Sequence, residues 1–256
     1  MKSRYEVWCK SVSLSSIHPD IQILDISYKQ PRINNSITQL AKKDGGIVTK
    51  RYIDKCTVSI TFELHIYNTV ERQEVCSQII KWADNNGYPF VLETSDKPDK
   101  YIFCICDSYP SINSAMKWTE PLTITFSSYY SPFWKDVFST SFEINDTNIH
   151  DEFVSGNYGF TRVGVTMECT SAVSNFTVLV NSSIIKINGL STSIGDIIRI
   201  WYDESDTIHI VHNNVSIMDK RTSDSSDDLL AKSGQINSFM VSAGVKATFT
   251  MRGVWL

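Results

Sequence analysis

The chain has 256 residues, 42% of them hydrophobic and 20% charged, with a formal net charge of −4 and a pI near 5.7. That apolar content argues against a disordered chain, and the acidic balance argues against a general nucleic-acid binder, which needs a net basic face. At roughly 150 residues per domain, the length suits one large domain or two ordinary ones.

The N-terminal stretch MKSRYEVWCKS lacks an apolar h-region, which predicts no secretory signal. No run approaches the roughly 20 apolar residues that span a bilayer, so no membrane segment is expected. In a protein made inside the cell, the six cysteines read as reduced thiols. The Asn-x-Ser/Thr triplets at Asn145, Asn175 and Asn181 are then silent. Lys42, Lys43, Lys50 and Arg51 form a small basic segment around Gly45-Gly46. It reads as a mobile, solvated loop in preference to a partner-binding one.

Strand signals dominate the rest of the chain. In VSITFELHIY, Val58, Ile60, Phe62, Leu64 and Ile66 alternate with Thr61, Glu63 and His65, as in a strand with one buried and one wet face. A helix is predicted from about Thr69 to Asn85, capped by Asn68 with Glu71 three residues on. Its apolar stripe is Val75, Cys76, Ile79, Ile80, Trp82 and Ala83, and Asn86-Gly87 and Pro89 end it. In SDKPDK, Pro98 presets the second turn position and Asp99 suits the third. The strand after it puts Tyr101, Phe103 and Ile105 on one face. Leu122, Ile124 and Phe126 then alternate with Thr123, Thr125 and Ser127.

The aromatic segment SSYYSPFWKD, from Ser127 to Asp136, predicts a domain boundary near residue 133. A second, all-β domain is expected beyond it, with Val163-Val165-Met167-Cys169, Phe176-Val178-Val180 and Ala247-Phe249-Met251 facing inward. Asn188-Gly189 and Ile194-Gly195-Asp196 read as hairpin cues. TSDSSDD, from Thr222 to Asp228, reads as a solvated loop in preference to a calcium site, because its spacing does not match an EF-hand.

Little points to catalysis. His18, His65, His150, His209 and His212 are scattered, and His209 and His212 would face opposite sides of a strand. His65 needs no more than solvent contact. Cys104 and Cys106 share a strand face and could share a metal, but no second ligand pair accompanies them. Both therefore read as small core residues. The carboxylate pairs Asp151-Glu152 and Asp203-Glu204 diverge, and no phosphate-loop, nucleophile-elbow or zincin motif occurs. No enzyme, cofactor or metal is expected, and no binding residue can be named.

The run IIKWADNNGYPFVLETSDKPDKYIFCICDSYPSI resembles the distal tail proteins of long, flexible-tailed bacteriophages. Trp82, Leu92, Asp96, Pro98, Asp99 and Tyr101 stand where that family has a tryptophan-bearing helix, an apolar strand, an Asp-x-Pro-Asp-like turn and an aromatic strand. YYSPFWKD is similar to the family's inter-domain segment. NSSIIKINGLSTSIGDIIRIWYDESDTIHI, with Gly195, Asp196 and Ile197, is similar to its C-terminal sandwich, and MRGVWL to its closing strand.

The resemblance implies a mainly β protein. Residues 1–133 would be a tail-tube-like, ring-forming β-sandwich or split barrel with one packed helix, and residues 134–256 a galectin-like β-sandwich. It implies a homohexameric ring at the distal end of the virion's tail, assembled in the bacterial cytoplasm. The partners implied are the tail-tube protein, the tail-associated hub or lysin protein and a receptor-binding protein, with no nucleic-acid specificity and no membrane. A different reading is a carbohydrate-binding adhesion module with Trp201 and Tyr202 as its platform. For Trp201, packing at the end of IIRIW is the favoured account. A cell-wall hydrolase is the third reading.

Overall fold

In a computed structural model, residues 5–39, 46–110, 120–129, 131–203 and 206–256 are described. The protein is mainly β, and the chain divides into two compact units, Met1–Trp134 and Lys135–Leu256.

Unit 1 contains β1 (Val7–Cys9), β2 (Val12–Ser13), β3 (Ile21–Lys29), β4 (Ile33–Gln39), β5 (Gly46–Ile53), β6 (Cys56–Leu64), α1 (Thr69–Ala83), β7 (Phe90–Thr94), β8 (Lys100–Ser108) and β9 (Leu122–Ser128). Its main sheet runs β2-β1-β7-β8-β9-β6-β3. The alternation in β6 buries Cys56, Val58, Ile60, Phe62 and Leu64, so this strand starts earlier and ends sooner than the pattern suggests. Ile66 is buried just beyond its end.

The helix packs on this sheet through the expected stripe, with two differences. Ile80 is only half-buried, whereas Arg72 is buried on the same face. Its guanidinium donates from Nε (3.0 Å) and Nη2 (2.8 Å) to the Ile66 carbonyl. Periodicity cannot reveal this, because a buried arginine depends on an acceptor brought alongside by the fold. The Asn68 side chain accepts from Val70 N at 3.0 Å, as a cap should. At the other end, Trp82 meets Phe126 edge-to-face (6.2 Å) and donates from Nε1 to the Val12 carbonyl (2.7 Å).

On β9, Ser127 stands at an expected wet position yet is fully buried, because its hydroxyl is bonded to Asp107 (2.5 Å). Ser128 is buried too.

Unit 2 contains β10 (Trp134–Asp136, beginning at the unit boundary), β11 (Thr140–Ile144), β12 (His150–Val154), β13 (Phe160–Arg162), β14 (Gly164–Cys169), β15 (Asn175–Val180), β16 (Ser183–Asn188), β17 (Ile197–Tyr202), β18 (Ile208–His212), β19 (Val215–Ser216), β20 (Leu230–Lys232), β21 (Gln235–Val241), β22 (Val245–Met251) and β23 (Val254–Trp255). A six-stranded sheet, β11-β22-β14-β17-β18-β19, and a four-stranded sheet, β12-β21-β15-β16, share one hydrophobic core. Phe249 sits at its centre, stacked on Phe142 (5.4 Å) and edge-on to Phe239 of the opposite sheet (5.3 Å). The inward positions expected on β14, β15 and β22 are all buried.

The hairpin cues fall elsewhere. β16 and β17 lie in different sheets, so residues 189–196 carry the chain across the sandwich and close no hairpin. A left-handed Asn-Gly makes a two-residue hairpin only when its flanking strands pair. Among the described residues of unit 2, two-residue hairpins stand instead at Asn181-Ser182, between paired Val180 and Ser183, and at Asn213-Asn214, both of these asparagines with positive φ (47° and 68°).

The 222–228 segment is not a free loop either. It lies along β16, the last strand of its sheet, and supplies the partners that edge lacks. Thr222 N and Ser226 N donate to the Lys186 and Ile184 carbonyls, and Ser225 Oγ and Ser226 Oγ accept from Lys186 N and Ile184 N. An edge covered in this way is protected from pairing with another chain. The closing strand is tied down by Asp136, which accepts from Trp255 Nε1 (2.7 Å) and Gly253 N (3.1 Å). Any side chain at Gly253 would collide with that carboxylate.

Candidate assembly surface

β4 and β5 form a two-stranded sheet with no third strand among the described residues. They connect β3 to β6, which pair with each other up to Lys29 and Thr57, and Asp54 N donates to the Arg32 carbonyl at the base (2.8 Å). The register pairs Ile33 with Ile53 and Ile37 with Val48, with a bulge after Ser36. Thr49 fills that bulge and donates its hydroxyl to the Ser36 carbonyl (3.1 Å). Counting the pleat through the bulge puts Ile33, Ile37, Val48 and Ile53 on one face. All four are exposed, Ile37 at 63% and Val48 at 55%.

A lone hairpin is marginal in water, and each aliphatic side chain left exposed forgoes about 1.5–3 kcal/mol of burial. Such a face is an unfinished core that a partner can complete. The basic segment of the sequence therefore changes meaning. Lys50 and Arg51 belong to strand β5 and not to a mobile loop, while Lys42, Lys43 and Gly45 lie outside the described residues.

The SDKPDK turn has the backbone that its residues predict. Asp99 adopts a left-handed φ of 61°, which Asp tolerates better than most residues. Tyr28 Oη donates to both Asp96 carboxylate oxygens (2.6 and 2.8 Å). The Tyr28 ring meets Trp134 edge-to-face (5.6 Å), and Lys97 Nζ lies over both rings. Burial, and then the Asp96 bond, push the Tyr28 phenol pKa upward.

Of the two cysteines on β8, Cys104 is core, but Cys106 is only half-buried, its Sγ 3.5 Å from the Ser108 carbonyl. The strand is bulged between Cys106 and Ser108, which lifts its end out of the core. Burial raises the Cys104 thiol pKa and pushes that of Cys106 to about 11, so neither is a ready thiolate.

Two sets of polar side chains form local hydrogen bonds and ion pairs. In the first, Asp107 accepts from Lys55 Nζ (2.8 Å), Ser127 Oγ (2.5 Å) and Tyr129 Oη (3.0 Å). Burial pushes the Asp107 carboxyl up, but those three bonds outweigh it and leave its pKa lowered. The serine is fully buried, so no substrate reaches its oxygen.

The second is the set of histidines, each of which faces its own carboxylate. His65 lies 2.9 Å from Glu63, His150 2.8 Å from Asp146, His209 3.0 Å from Asp203, His212 2.9 Å from Asp196 and His18 3.7 Å from Glu71. His65 thus has more than solvent beside it. Among the described residues, no three His, Cys, Asp or Glu stand together as a metal site, and no helix is long and apolar enough to cross a membrane.

Trp201 and Tyr202 part company. Tyr202 is half-buried and its oxygen accepts from Leu229 N (2.7 Å). Trp201 does not pack away at the strand end. It stays 45% exposed on the outer sheet face, stacked on His209 at 4.4 Å.

No protein-family model and no curated protein matches the sequence. Among solved structures, the chain is similar to SPP1 Dit (gp 19.1), described as a paradigm of the hub adsorption apparatus in phages that infect Gram-positive bacteria. The TM-score is 0.77 at 10% identity, over 98% of this chain and 99% of that one. The phage P2 baseplate in its activated conformation also matches, with calcium at a TM-score of 0.49 and with strontium at 0.48. In both cases identity is 12%, over 97% of each chain. The likeness to SPP1 Dit runs through both units, so the fold is shared along the whole chain.

Proposed function

We propose that this chain is a structural protein of a long, flexible-tailed bacteriophage, belonging with the distal tail proteins. In this reading it closes into a hexameric ring at the end of the tail. The ring joins the tail tube on one side to the tip hub and receptor-binding components on the other, and the chain catalyses nothing. The observation that carries the reading is a fold shared over nearly the full length with the hub protein of another phage. The hairpin supports it, because the Ile33, Ile37, Val48 and Ile53 face needs a cover that a neighbouring subunit can supply. Repeating one such heterologous contact by rotation closes a ring of identical chains.

Light scattering beside negative-stain imaging tests this. Rings with a central channel and about six times the 29.0 kDa chain mass are expected. A strict monomer at high concentration, together with no density for the chain in an assembled tail tip, would overturn it.

A further inference from the structure

The two outer faces of the unit 2 sandwich differ in kind. On the four-stranded sheet two outward rows are apolar, Met240–Leu179–Ile184 and Phe153–Ile236, with the hydrogen-bonded Asp151–Ser238 pair between them and the Thr177–Lys186 pair beyond. On the six-stranded sheet the outward face is rich in hydroxyls. Ser141 and Thr250 pair in one row, and in the next Glu143, Thr248, Thr166, Arg199 and Val211 follow one another across the sheet, Glu143 being ion-paired to Lys246. Into that polar face rises one large aromatic, Trp201.

We propose that this face binds a neutral hexopyranose of a surface glycan, stacked against Trp201 above Gly164. Three features converge. The indole is pre-oriented, because His209 stacks on it with an interplanar angle of 18° and is itself held by Asp203 through Nε2. The floor beside it is open. Gly164 pairs with Thr250 and lies one residue beyond the Val165–Ile200 pair, next to Trp201. A Cβ there would meet only the backbone oxygens of Ile200 and Thr250, each at 3.6 Å, so no side chain covers the strand at that point. Hydrogen-bonding residues occupy the adjoining register positions: Thr250 directly opposite Gly164, and exposed Thr166 and Arg199, paired with each other, one row along.

A pyranose fits this chemistry on both counts. Its axial C–H bonds offer a weakly positive patch to the negative face of the indole, and its hydroxyls need a few well-placed partners. An apolar peptide would leave the surrounding hydroxyls and Arg199 unanswered, at a cost in desolvation. The inference is independent of ring formation, since every group named lies on unit 2.

The full-length protein would be titrated with the methyl glycosides of glucose, galactose, mannose and N-acetylglucosamine, by calorimetry and by ligand-observed NMR. At least one is expected to bind, with a dissociation constant of about 1 mM, as a single ring on an open shelf would. Trp201→Ala should weaken it at least tenfold. Gly164→Val should do the same by filling the floor, at a strand position where valine is well tolerated. Ile236→Ser, on the outer face of the other sheet, should change nothing, and circular dichroism would check that each variant folds. The proposal is overturned if no glycoside binds the unaltered chain, or if binding survives Trp201→Ala and Gly164→Val together. Light scattering on the same samples keeps this result separate from the fate of the ring.

Discussion

The pair Ile37–Val48 on the hairpin and the pair Val165–Ile200 in the sandwich are both aliphatic, β-branched residues facing each other across antiparallel strands. The first is 63% and 55% exposed, the second 2% and 1%. The same local chemistry thus ends in opposite states. In unit 2 the second sheet arrives to cover the first, and the core closes on itself. On β4–β5 no other described part of the chain arrives. The difference teaches that an apolar strand face specifies a need for burial and not the surface that meets it.

That contrast can be broken most directly at the hairpin. Changing Ile37 and Val48 together to lysine should abolish assembly, taking the scattering mass from the ring to the single chain. The stability read from urea unfolding should stay within about 0.5 kcal/mol, because neither side chain is buried within the chain. A ring that persists would show that the hairpin face is not the contact. The mirror experiment is Phe249→Ala, which empties the centre of a finished core. It should cost about 3–5 kcal/mol in denaturant unfolding, and a loss under about 1 kcal/mol would mean that the sandwich can collapse around the gap.

Smaller effects sharpen the picture. Arg72→Met keeps the packing of the helix but leaves the Ile66 carbonyl without its two donors, at about 1–3 kcal/mol in the same assay. Asn68→Ala removes one cap bond, at about 1 kcal/mol.

The smallest effect is a titration at the start of β17. Donation from Ser193 N–H first, then from Asn213 and His212, holds the Asp196 carboxyl pKa down to about 2, against an ordinary value of about 3.9. A depressed carboxylate stabilises the fold above its unfolded pKa. That contribution should fade as pH falls from about 4 to about 2. Melting temperatures across that window should drop less steeply for Asp196→Asn, and parallel curves would remove Asp196 from the account.

Much of this protein is written locally. The alternation in β6, β14, β15 and β22, the helix stripe from Val75 to Ala83 with its Asn68 cap, and the bend at Pro98-Asp99 all arise from side-chain period and backbone preference within a few residues. Those are properties a segment carries wherever it lies. What only the tertiary structure decided is which segments meet. It put β16 and β17 in different sheets despite the Asn-Gly between them, and laid 222–228 along the free edge of β16. It also set Arg72 against a carbonyl, buried Ser127, and left Trp201 and the hairpin face in solvent. Each of these depends on a neighbour outside the segment itself, from six residues away for Arg72 to much further for the sheet edges, and no local periodicity records which neighbour that is.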